Sequence, residues 1–239
     1  MPLFEAEADG LEALRRAGAL AVPAPLTFGR DDRCAWLVLE WLDLVPARGA
    51  LGAALGRGLA LQHGVTGPHF GWHRDNFLGT TPQPNGPMPD WAGFFRDRRL
   101  AFQIDLAEHR GHGGAWIDRA RRLLERVPAL LADRVPEPSL LHGDLWSGNA
   151  AALRDGRGAV YDPAVHFGDR EADLAMTELF GGFDDAFYRA YDAVWPREAG
   201  YAERRDLYQL YHVLNHLNLF GNSYAAQTSR LIDRLLSRC

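Results

Sequence analysis

Apolar residues recur at helical spacing in some stretches of the chain and run together in others, and the switches mark its elements. In residues 4–17, Leu11 and Leu14 share a face with Phe4. Acids crowd the first turns, where the helix dipole favours them, and Gly18 can end the helix. Pro23 and Pro25 break the chain before a short strand at Leu26–Phe28. After a turn at Gly29–Arg33, the run Cys34–Leu42 (CAWLVLEWL) reads as a buried strand. Residues 50–63 read as a helix ending at His63-Gly64. Residues 64–90 are rich in Gly and Pro with little periodicity, which predicts a long ordered loop of the kind that carries function. Helices are predicted from Trp91 to Leu106, with Phe94, Phe95 and Leu100 inward, and over 114–132, with Leu123, Leu124, Leu130 and Leu131. Leu140-Leu141 leads into a turn-rich stretch, and Ala159–Tyr161 is a short strand. Residues 169–238 are helical, with breaks near Gly181-Gly182, Pro196 and Gly221. Strands come early and helices late, which predicts an α+β fold.

Composition narrows the function classes. The 239 residues are 47% hydrophobic and 24% charged, the balance of a globular protein with a sizeable core. A net charge of −5 gives no basic surplus for a phosphate backbone, so no nucleic-acid partner is expected. No apolar run approaches the roughly 20 residues of a membrane span. The opening MPLFEAEADG carries acids where a secretion signal carries bases. Two cysteines, Cys34 and Cys239, make neither a disulfide framework nor a zinc cluster, and a cytoplasmic setting follows. All 26 basic residues are Arg; with no Lys, chemistry that needs a side-chain amine is excluded.

The segment His142-Gly143-Asp144-Leu145-Trp146-Ser147-Gly148-Asn149 carries the chemistry. Asp followed five residues later by Asn is the spacing of a kinase catalytic loop. Phosphoryl transfer needs a carboxylate to accept the hydroxyl proton and a nearby amide oxygen to hold Mg²⁺. Thirteen residues after Asn149, beyond the strand AVY, Asp162 is placed to return a second carboxylate. Magnesium prefers such hard oxygen ligands.

HGDLWSGN followed by YDPAVHFGDREADLAMTELFGGF resembles the fructosamine kinase (ketosamine-3-kinase) family, relatives of the aminoglycoside and choline phosphotransferases. The loop FGWHRDNFLGTTPQPNG, the following DWAGFFRDRRL and the segment YQLYHVLNHLNLFGNSY extend the resemblance over nearly the whole chain. It implies a protein-kinase-like fold of two lobes with ATP between them. The small lobe would be residues 1–43 and the large helical lobe 44–239. Asp144 would be the base, with Asn149 and Asp162 as Mg²⁺ ligands. The backbone of Glu40, Trp41 and Leu42 would meet adenine. Glu7 would be the helix acid that pairs with a strand Lys, His142 a supporting residue, and Asp173 a brace for the catalytic loop. Trp72, His73 and Trp146 are candidates to line the sugar pocket. The substrate would be a ketosamine on a small amine or protein lysine, phosphorylated at its third carbon.

One departure stands out. The family's small lobe begins with a glycine-rich hairpin and a strand Lys, whereas here only Met-Pro-Leu precedes the first helix. Two expectations stand side by side: a start that lies upstream in a longer protein, or a truncated small lobe with weakened hold on the triphosphate, its open strand edge available for a homodimer. Two other readings stay open: a degenerate, non-catalytic kinase-like binding protein, and an aminoglycoside- or choline-type phosphotransferase.

Overall fold

The computed structural model describes residues 2–238. In chain order the elements are α1 (Pro2–Ala17), β1 (Pro25–Arg30), β2 (Ala35–Leu39), β3 (Leu44–Val45) and α2 (Ala50–His63). A middle section holds β4 (Asn76–Leu78), β5 (Thr81–Gln83), α3 (Trp91–Phe94), a π-helical turn (Phe95–Ala101), α4 (Phe102–His109) and α5 (Trp116–Leu130). Then come β6 (Ser139–Leu141), β7 (Ala150–Leu153), β8 (Gly158–Val160) and β9 (His166–Gly168). Four helices close the chain: α6 (Arg170–Leu179), α7 (Asp185–Asp192), α8 (Tyr201–Phe220) and α9 (Ala225–Leu236). The α+β expectation holds. None of the described helices is long and apolar enough to cross a membrane.

Two apolar clusters organise the molecule. One gathers Phe94, Phe95, Ile104, Leu123, Leu210, Leu214 and Ile232 from the middle and last helices. The other joins Leu11 and Leu14 of α1 to Leu55 and Leu59 of α2, Leu140, Val160 and Phe187. The apolar stripe read for α1 is buried as expected, with Leu11 and Leu14 fully enclosed.

The strand in CAWLVLEWL departs from its reading as a buried strand. β2 pairs only with β1, in an antiparallel hairpin. A two-stranded ribbon covers only one of its faces. Leu37 and Leu39 turn toward the second cluster, while Trp36 and Val38 are 39% and 43% exposed and Trp41 is 90% exposed. The long loop also holds more order than its composition suggests. β4 and β5 form a hairpin with only three residues per strand, too short for an alternation to show. Its polar side chains point inward: Asn76 and Gln83 donate to the backbone carbonyls of Val165 and Ala164 at 2.8 and 3.1 Å. The helix predicted from Trp91 is continuous but widens into the π turn, which carries the buried Arg99 against Pro84 O and Asn85 Oδ1, both at 2.6 Å.

Candidate active site

Nested strand pairing brings the site together. β6 pairs with β9, and β7 with β8, both antiparallel. The loop from β6 to β7 (142–149) and the turn from β8 to β9 (161–165) therefore leave the same end of the paired strands. Two backbone bonds tie them: Tyr161 N–H to Asn149 O at 3.1 Å, and Ala164 N–H to His142 O at 2.8 Å. Gly143 is required there. Its φ is +83°, and a Cβ would run into the carbonyl of Ala164.

Asp173, on α6, braces the loop from beneath. Its carboxylate accepts the N–H groups of His142 (2.7 Å) and Gly143 (2.9 Å) and sits 3.1 Å from His63 Nε2. Burial alone would raise its pKa, but His63 and these backbone donors hold it below the usual carboxylate range. The His142 ring is buried and kept neutral by that burial. Its Nε2 faces Tyr161 O at 3.0 Å, and its Nδ1 accepts from the Asp144 N–H at 3.2 Å. It fixes the backbone of Asp144, two residues on, and is not among the residues that line the cleft.

Asp144, Asp162 and Glu7 line one cleft, with Asn76, Phe77 and Gly79 of the β4–β5 hairpin closing a side. The Asn149 amide donates to Asp144 O (3.0 Å), Asp144 Oδ2 (3.3 Å) and Asp162 O (3.3 Å). Asp162 is the only described non-glycine residue with positive φ, at 60°. Such a conformation costs on the order of 1–3 kcal/mol and collects at functional sites. The Asp144 pKa is raised to about 7, first by burial and then by the charges of Asp162 and Asp173. Glu7 is likewise raised to about 7, by burial and by the adjoining carboxyl of Asp162. Glu7 thus meets Asp162, a contact its expected pairing with Lys did not predict. These carboxyl groups are oxygen donors of the kind a hard divalent cation takes, but among the described residues no three Asp, Glu, His or Cys side chains stand close enough together to hold an ion by themselves.

The remaining sequence-predicted residues fall elsewhere. The Glu40 N–H bonds to Ala24 O at 2.8 Å, while the backbone of Trp41 and Leu42 has no hydrogen bond within the described chain. Trp72 and His73 line a separate cavity of ≈ 330 Å³ with Phe70, Phe167 and Pro87. The Trp72 indole N–H donates to Asp9 Oδ2 at 2.8 Å, anchoring this loop to α1. Trp146 lies over Gly148 and edge-on to Phe180, whose ring packs on His216. Sequence reasoning passed over His63, Phe180, His212 and His216. The last two stand four residues apart on α8, a spacing that puts both on one face.

Comparison with known proteins gives the family. The sequence model of the family described as fructosamine kinase matches residues 1–238. The chain belongs to the fructosamine kinase family. A "probable ketoamine kinase" of Synechocystis is 46% identical over 98% of this chain and 79% of its own length. A crystal structure from Thermobifida fusca assigned to fructosamine-3-kinase is 34% identical with a TM-score of 0.88, covering 98% of this chain and 80% of that one. An aminoglycoside phosphotransferase solved with AMP-PNP and hygromycin B is only 19% identical, yet has a TM-score of 0.63 over 97% and 83% of the two chains. It shares the fold alone. As a fructosamine kinase the chain is a phosphotransferase of protein-kinase-like fold.

Proposed function

We propose that this fructosamine kinase transfers the γ-phosphoryl group of ATP to the 3-hydroxyl of a sugar-derived ketosamine carried on a small amine or a protein lysine. The observation that supports the reading is the meeting of Asp144 and Asp162 in one cleft, in kinase order along the chain, with the buried Asn149 amide between them donating to the backbone carbonyls of both. Asp144, one-fifth exposed, takes the proton of the acceptor hydroxyl at a carboxylate oxygen. The Asp162 carboxylate and the Asn149 amide oxygen would hold Mg²⁺, which when bound would supply positive charge against that of the phosphates. Backbone groups of Trp41 and Leu42, free of internal hydrogen bonds, receive adenine. The half-open ring of Trp146, beside Asp144 in the loop, offers an aromatic face to the sugar.

The test is Asp144→Asn, assayed for phosphate transfer from Mg-ATP to Nε-fructosyl-lysine by phosphorus NMR. A loss of about 10²–10⁴-fold in kcat is expected, the usual contribution of a positioned base. Turnover within twofold of the parent chain would remove Asp144 from this role.

A further inference from the structure

His212 lies on α8 with its side chain 6% exposed. Its Nδ1 is buried and has no hydrogen-bond partner. Buried ring nitrogens are rarely left in this state, because desolvation is then uncompensated. The group this nitrogen faces is Oδ1 of Asp144, 4.0 Å away. The other carboxylate oxygen, Oδ2, already has the Asn149 amide at 3.3 Å. The two oxygens of Asp144 therefore look toward two different donors, one engaged and one not.

Burial keeps the His212 ring neutral, with His216 adding to the effect, so that its pKa is pushed down to about 3. A neutral ring carries one N–H, and the carboxylate oxygen opposite favours it on Nδ1. At 4.0 Å no hydrogen bond exists, since about 3 Å is needed. Contacts of this kind often close only when substrate is bound. The frame behind the ring is firm. The Tyr211 hydroxyl donates to Gln83 Oε1 at 2.7 Å, and the His212 carbonyl faces His216 Nδ1 at 2.8 Å. His212 is not among the residues that line the carboxylate cleft, so its access is to Asp144 rather than to a ligand.

We propose that His212 is a positioning residue for phosphoryl transfer: in the substrate complex its Nδ1–H donates to Oδ1 of Asp144 and fixes the plane of the carboxylate that receives the hydroxyl proton. The proposal rests on the reading of Asp144 as the base.

Three substitutions test it. The terminal amide of Asn can stand where Nδ1 stands, that of Gln reaches where Nε2 stands, and Leu offers no donor. kcat and KM are measured with Mg-ATP and Nε-fructosyl-lysine, beside Asp144→Asn. His212→Leu and His212→Gln are expected to lower kcat about 10- to 100-fold, with both KM values within about twofold. His212→Asn is expected to return kcat to within about threefold of the parent chain, on the same principle. Parental kcat in the Leu and Gln variants, beside an inactive Asp144→Asn, overturns the proposal and leaves the base assignment standing. An active Asp144→Asn overturns both. Equal losses in all three His212 variants, or losses confined to KM, also overturn it, because the place of the donor would then be irrelevant. Thermal unfolding is recorded for each variant. Should the Leu protein not fold, the contrast between Asn and Gln decides.

Discussion

Asp144 is held in a state that opposes folding above neutral pH. Its folded pKa of about 7 exceeds the ordinary carboxylate value of 3.8, so the folded chain binds more protons than the unfolded one between these limits. The stability it contributes is full below pH 3.8 and is lost as pH rises through 7. Asp144→Asn removes the charge at nearly constant shape. In EDTA at pH 8 the variant should unfold at least about 2 °C above the parent chain, and the difference should vanish near pH 4. A difference independent of pH would show that burial and Asp162 do not load this carboxyl. The metal ligands are unequal on the same reasoning. Asp162 offers a carboxylate and is exposed, whereas Asn149 is buried and offers only an amide dipole. Titration with Mn²⁺ followed by water-proton relaxation should show weaker binding in Asp162→Ala than in Asn149→Ala. Equal losses would count against the ranking.

At the scale of elements, the catalytic loop is placed by what lies against it. Gly143→Ala forces a Cβ into the Ala164 carbonyl at a positive φ. We expect a loss of about 2–4 kcal/mol in urea unfolding and a fall in kcat, since the β8–β9 turn must move. The β4–β5 hairpin supports the same turn from the other side. Gln83 donates to Asn76 Oδ1 and Ala164 O and accepts from the Tyr211 hydroxyl. Gln83→Leu removes three buried hydrogen bonds, although Asn76 Oδ1 keeps the Asn85 amide and Ala164 O keeps His166 Nδ1, and should cost about 1–3 kcal/mol by the same measurement. The hairpin was hard to read in the sequence for the reason that makes it effective. Its inward residues are polar amides in a Gly- and Pro-rich stretch, and their partners lie about 80 residues away. α1, whose face is set by local apolar spacing, and α2 emerged with nearly the bounds expected of them.

At the scale of the molecule, the two apolar clusters meet around the site. Leu145, next to Asp144, is buried in one, and Ala164, two residues past Asp162, in the other. The segment before β6 is tied to the last helices by charge. Arg134 bonds Asp169 through two nitrogens at 2.7 and 2.8 Å, Asp169 accepts from Tyr208 of α8, and Glu171 pairs with Arg204. Arg134→Met breaks a buried pair and should lower stability by about 3–5 kcal/mol. A loss under about 1 kcal/mol in urea unfolding would mean that Asp169 finds compensation elsewhere.

The sequence alone determined the α+β class, the bounds of α1 and α2, the loop that carries Asp144 and Asn149, and the return of Asp162. These follow from local spacing: the helical stripe, the five-residue step from Asp to Asn, the strand before Asp162. Tertiary structure decided what each charged group faces. It set Glu7 against Asp162, brought His63 beneath Asp173, and aimed a bare nitrogen of His212 at Asp144, pairings that span from 68 to 155 residues of chain. It also left the outer face of β2 open, because a strand's burial depends on how many neighbours cover it and not on its own apolarity. Local spacing reports the conformation of a segment. The partner across a cleft is chosen by how segments pack, and no spacing within either segment encodes it.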